Sequence, residues 1–139
     1  MNKYAILVAP FAGWIIAQLL KFIFTLRKDG IQFSDAIQSG GMPSSHAAFT
    51  SSLTTAVGYQ YGISSAYFAI AVAFTAIVMY DAMGVRRTTG EQTKALQQLA
   101  KKTNIKLAVL HDARGHSPVE VLAGLVVGII TGLLTVVLL

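Results

Sequence analysis

The sequence predicts an all-α fold: a polytopic membrane helix bundle of about four transmembrane segments, with one amphipathic helix in a loop. Three observations carry this. Hydrophobic residues make up 54% of the 139 residues and charged residues only 12%, about half the share usual in soluble domains. A soluble domain of this length could hardly bury so much apolar surface, so membrane insertion is the default. The charges, moreover, cluster between the apolar stretches rather than within them. The length corresponds to a single integral-membrane domain, residues 1–139.

The first stretch, Tyr4 to Leu26, is long enough to span, because a bilayer core needs roughly 20 apolar residues. A cleaved signal peptide is disfavoured: Gln18 and Lys21 interrupt its end and no small-residue cleavage site follows. Ala47 to Tyr61 is short and rich in Ser and Thr, and so is either a short span packed against other helices or a partial one. Ser64 to Met83 is a full span. Val119 to Leu139 carries no charge after Glu120 and is the clearest span of all. Between these last two lies the longest polar segment. Thr88-x-x-Glu91 has the capping-box spacing, and Ala95, Leu96, Leu99 and Ala100 form a modest apolar stripe, so Thr89 to Lys102 reads as an amphipathic helix at the membrane surface.

Four spans put both termini on one side and both polar loops on the other. Arg27, Lys28, Arg86, Arg87, Lys94, Lys101, Lys102, Lys106 and Arg114 all fall in the loops, against Lys3 and the amino terminus opposite. The positive-inside rule then places the loops in the cytoplasm and the termini outside. Gly124, Gly128 and Gly132 share one face of the last helix and permit close approach of another backbone, in the same chain or in a second copy; a homo-oligomer through this stripe would thicken a thin bundle.

Two histidines lie at span edges in surroundings suited to phosphate. His46 closes Gly41-Met42-Pro43-Ser44-Ser45-His46, and His116 opens Gly115-His116-Ser117-Pro118-Val119-Glu120. One histidine can attack phosphorus while another protonates the leaving oxygen, so a pair at the membrane boundary points to a phosphorylated lipid. Ser117 as N-cap, Pro118 at the first helical position and Glu120 form a good helix start, which sets His116 at the positive end of a helix dipole. Glu120 can orient one ring nitrogen of His116 or complete the capping box. Ser44 or Ser45 can cap the helix after His46 and offer hydroxyls and amides to phosphate oxygens. Arg86 and Arg87 are topology anchors or phosphate ligands, since the guanidinium fork matches phosphate geometry. Asp81, at the edge of a span, needs a partner in Arg86, Arg87 or Lys21. Lys21 either snorkels to the interface or points inward to bind phosphate. His111, beside Asp112, reads as a solvated loop residue.

With no cysteine, disulfides and thiolate metal sites are excluded. No His-x-x-x-His or Glu-x-x-His pair occurs, so no metal site is expected. No cofactor and no nucleic-acid partner are expected either.

Pro43-Ser44-Ser45-His46 and His116-Ser117-Pro118-Val119-Glu120-Val121-Leu122-Ala123-Gly124 resemble the second and third signatures of the type-2 phosphatidic acid phosphatase and vanadium haloperoxidase superfamily. The whole chain more closely resembles that superfamily's small divergent bacterial branch. Its Gly-Met-Pro-Ser-Ser-His, Tyr-Asp-Ala-x-Gly-Val-Arg-Arg and Gly-His-x-Pro-x-Glu-Val motifs are present in order. The resemblance implies metal-independent hydrolysis of a phosphomonoester or diphosphate lipid, such as phosphatidic acid, phosphatidylglycerol phosphate or polyprenyl diphosphate. It implies His116 as nucleophile, Glu120 orienting it, and His46 as general acid and then base. Phosphate would be held by Lys21, Ser44, Ser45 and Arg86 or Arg87, with Asp81 and Arg114 in support. The chain departs from the wider pattern in three ways. Leu110 stands where an arginine is usual before the third-signature histidine, Lys21 has Lys28 and no Arg-Pro downstream, and six spans shrink to four. A non-catalytic protein that binds anionic headgroups or a partner protein is the alternative. A CDP-alcohol phosphotransferase needs several nearby aspartates, and only Asp81 is present; nothing speaks for haloperoxidase chemistry.

Overall fold

The computed structural model describes residues 4–26, 41–105 and 115–139, and every element among them is helical. The helices are α1 (Ala5–Leu26), α2 (Ser45–Tyr61), α3 (Ala66–Met83), α4 (Val85–Thr103) and α5 (Pro118–Leu138). Arg114, together with Arg27, Lys28, Lys106, Leu110 and His111, lies outside the described residues.

The bundle is built around its shortest member, which is also the least apolar of the four helices that pack together. At 17 residues, α2 is roughly 25 Å long, short of a hydrocarbon core of roughly 30 Å. It is held centrally, packed against α1, α3 and α5. Its small side chains let those helices close in, and its hydroxyls bond each one in turn. Ser52 Oγ donates to the Ala9 carbonyl of α1 at 2.8 Å, and Ser51 Oγ to the Leu125 carbonyl of α5 at 3.2 Å. Thr54 and Thr75 of α3 share a hydroxyl bond of 2.8 Å. Away from water such bonds average about 0.6 kcal/mol each. Thr50 and Thr55 instead donate back to carbonyls of α2 itself.

Two stripes of small residues clasp this helix. On α5, Gly124, Gly128 and Gly132 are buried against α2. A Cβ on Gly124 would collide with the Ser44 carbonyl oxygen, and one on Gly128 with that of Ala48. Of the two partners the stripe could take, the structure shows the one within the chain, α2. On α1, buried Ala5, Ala9, Gly13 and Ala17 recur at every fourth position, and Lys21 continues the line. The outward faces are the reverse. Leu7, Phe11, Ile15, Ile70, Ile77, Val126 and Ile130 are all exposed. Such a continuous apolar exterior belongs in lipid, and α1, α3 and α5 are long and apolar enough to cross a membrane.

The amphipathic helix begins earlier than its capping-box signal predicts. α4 starts at Val85, directly after Gly84, and has no side-chain cap. Thr88 is already helical, its hydroxyl donating to the Gly84 carbonyl at 3.2 Å, while Glu91 pairs with Arg87. Gly84 closes α3 and opens α4 with a single residue, so no separate cap is needed. Asn104, in the left-handed region at φ 57°, ends the helix. Leu96 and Leu99 are exposed, as suits a helix whose apolar stripe faces the membrane surface rather than the bundle.

The four packed helices α1, α2, α3 and α5 alternate in direction. Ala5 and Ala9 meet Ala56 and Val136 at one end of the bundle, and Ala47, Ala82 and Val121 meet at the other. The second end gathers the last turn of α1, the first turns of α2 and α5, and the α3–α4 junction. Every described candidate site residue lies there.

Candidate functional site

The first turn of α5 sets the site. Ser117 Oγ accepts from the Glu120 amide at 3.4 Å, and Glu120 Oε2 accepts from the Ser117 amide at 2.9 Å, so the capping box is complete. The same Oε2 lies 3.4 Å from His116 Nδ1. Capping the helix and facing the histidine are thus one arrangement, not two competing ones. Nδ1 is buried, within ion-pair reach of the carboxylate but outside hydrogen-bond geometry. The His116 amide donates to the Ala82 carbonyl at 3.0 Å, which ties the residue to the end of α3. Gly115 lies so close to α4 that a Cβ would meet the Arg87 backbone, and only glycine permits that approach.

His46, in the first turn of α2, faces His116 with 6.3 Å between ring centroids and 63° between ring planes. The two rings differ in setting. His116 is 4% exposed, whereas His46 is open at the edge of the bundle. Burial holds the His116 imidazole below its ordinary value of 6.5, with the Glu120 carboxylate pulling the other way. His116 is therefore neutral near pH 7, the form a nucleophile requires.

Lys21 is 7% exposed and lies on the inward stripe of α1, so it points into the bundle. Its charge acts on Glu120, His116 and His46. Ser44 caps α2, its hydroxyl accepting from the Ala47 amide, and its own amide donates to the Glu120 carbonyl at 2.9 Å. Both groups of this buried serine are engaged within the protein. Ser45 lies beside it, also buried.

The two arginines separate. Arg86 Nε bonds Asp81 Oδ2 at 2.6 Å, the pairing expected for Asp81, and both charges act on His46. Arg87 bonds Glu91 at 3.2 Å and borders a cleft of about 410 Å³ with His116, Glu120, Gly115 and Lys94. Lys94, two turns along α4 from Arg87, is a cleft residue that sequence reading counts only among the loop cations. Its spacing from Arg87 was the available signal. Among the described residues, no group of three His, Asp or Glu side chains is placed to hold a metal ion.

The arrangement offers a buried neutral imidazole backed by a carboxylate, a second imidazole opposite it, and cations from α1 and α4 around both. It resembles a site for attack on phosphorus with protonation of a leaving oxygen. A family model described as the divergent PAP2 family matches residues 2–131. An uncharacterized membrane protein of Bacillus subtilis (strain 168), YuiD, is 36% identical over 151 residues, an alignment covering 95% of this chain and 92% of that one. No solved structure matches the chain.

Proposed function

The chain belongs to the divergent PAP2 family and is an integral membrane protein, and from that premise we propose that it is a metal-independent phosphatase hydrolysing a phosphorylated lipid through a phosphohistidine. The observation that carries this reading is the pair of facing imidazoles, their ring centroids 6.3 Å apart, with the Glu120 carboxylate directly behind His116. One phosphoester group spans such a gap.

With Nδ1 facing Glu120, Nε2 of His116 attacks phosphorus, and the bond from phosphorus to the lipid oxygen breaks. His46 gives its proton to that oxygen, releasing the lipid alcohol. Glu120 stabilises the positive charge that gathers on His116. The now neutral His46 takes a proton from water, whose oxygen attacks phosphorus, and the N–P bond breaks to free phosphate. Lys21, Arg87 and Ser45 hold the non-bridging oxygens; Arg87 takes the place of the usual arginine because it borders the His116 cleft. The Asp81–Arg86 pair is a support beside His46.

α4, which leaves the site end of α3, carries Arg86, Arg87, Lys94, Lys101 and Lys102, so under the positive-inside rule the reaction would run on the cytoplasmic face, with both termini outside. Phosphatidic acid, phosphatidylglycerol phosphate and polyprenyl diphosphate are the substrates to try. Purified protein in vesicles with EDTA present should release phosphate from at least one of them. His116→Ala should abolish release, and His46→Ala should lower it by about 10²–10⁴-fold. Release that survives His116→Ala overturns the mechanism. Retention of anionic lipid without any release would favour the alternative, a headgroup-binding protein.

A further inference from the structure

Two recesses meet at the histidine pair, and they differ in character. His116 borders the cleft that also holds Arg87 and Lys94. His46 instead borders a recess of about 420 Å³ between α1, α2 and α3, walled by Phe11, Trp14, Phe49, Phe74 and Val78. Among the described residues, His46 is the one ionisable side chain on that wall. Thr50, which also lines it, turns its hydroxyl to the His46 backbone carbonyl at 3.1 Å, so it offers the recess little polarity. Phe11 and Phe49 meet edge to face at 5.6 Å and brace the wall between α1 and α2. The volume falls within the roughly 300–1,000 Å³ typical of small-molecule sites.

We propose that this recess is the hydrocarbon subsite, seating the chain attached to the oxygen that His46 protonates. This rests on the phosphatase reading. The nucleophile and the cations hold the phosphoryl side, so the carbon on the leaving oxygen must lie on the side of His46. That side is where the apolar wall stands. The occupant is the alkyl, acylglycerol or prenyl portion next to the scissile ester. Phosphate itself belongs in the other cleft.

Trp14 is the sole tryptophan in the chain, so its fluorescence reports on this wall alone. The wild-type protein in phosphatidylcholine vesicles is given an alkyl phosphonate brominated along its chain. The C–P bond of this probe leaves no ester oxygen to cleave. Brominated phosphatidylcholine at the same mole fraction is the control. The phosphonate should quench Trp14 more strongly than the control, and Lys21→Ala should remove the difference. Equal quenching by the two lipids overturns the subsite, whatever the activity. A second arm narrows the recess with Val78→Phe. The ratio of kcat/KM for a long-chain alkyl phosphate to that for soluble phenyl phosphate should fall about ten-fold or more, the scale of a misfitted apolar pocket; an unaltered ratio overturns the proposal. If the wild type hydrolyses none of these phosphates, the phosphatase reading fails, while the quenching arm still decides whether a phosphonate-bearing chain is seated beside Trp14.

Discussion

At the scale of single residues, the two histidines are distinguished by what stands behind them. Glu120 raises the affinity of His116 for a proton while burial lowers it, and burial prevails. Loss of activity on acidification should therefore set in below the ordinary imidazole value of 6.5, because only then does His116 become protonated. Removing the carboxylate charge with Glu120→Gln should move that acid limb to still lower pH, read as kcat/KM against pH for the free enzyme. An acid limb that moves upward would contradict the assignment. The role of His46 has its own signature. A phenolic leaving group, a much weaker base than an alkoxide, depends less on a proton from a general acid, so His46→Ala should impair phenyl phosphate cleavage less than lipid phosphate cleavage. Both histidines were legible in the sequence because Gly, Ser and Pro frame them at span edges. The different partners of Arg86 and Arg87 were not, since adjacent residues on a helix point about 100° apart and only the fold says which direction meets the cleft.

Among the elements, α2 bears the most constraint. Gly128→Leu should force α5 away from the Ala48 carbonyl and destabilise the bundle by about 1–3 kcal/mol, the usual cost of overpacking. A lowered melting temperature in detergent and a loss of phosphate release should appear together. Ser51→Ala removes one interhelical bond and should cost only about 0.6 kcal/mol; a larger loss would mean that the hydroxyl contributes more than its bond to Leu125. The glycine stripe of α5 was plain in the sequence, yet its partner was not, because a small-residue face fits another chain as well as it fits the same one. The matching stripe of α1 was readable at Ala5, Ala9, Gly13 and Ala17, and it would have turned Lys21 inward. The start of α4 was misplaced for a different reason. Thr88 and Glu91 carry the spacing of a cap, but Gly84 joins two helices with no gap in which a cap could act.

For the molecule as a whole, sidedness is the property most open to test. The chain has no cysteine, so one introduced at Lys101 is a unique reporter. It should be shielded from impermeant thiol reagents in intact cells and labelled once the membrane is opened; labelling in intact cells would invert the orientation. The all-helical membrane class followed directly from composition, whereas the central burial of α2, the least apolar of the four packed helices, could not, because hydropathy reports how well a segment suits lipid and not which neighbours shield it. That central position governs how the protein is made. α1 leaves the ribosome before α2 and α5 leaves it last, so for most of synthesis one flank of α2 is uncovered. The hydroxyl of Ser51 then lacks Leu125, and His46 has no partner histidine. Only insertion of α5 covers the flank and brings His116 and Glu120 opposite His46, so closure of the bundle and completion of the candidate site become a single event.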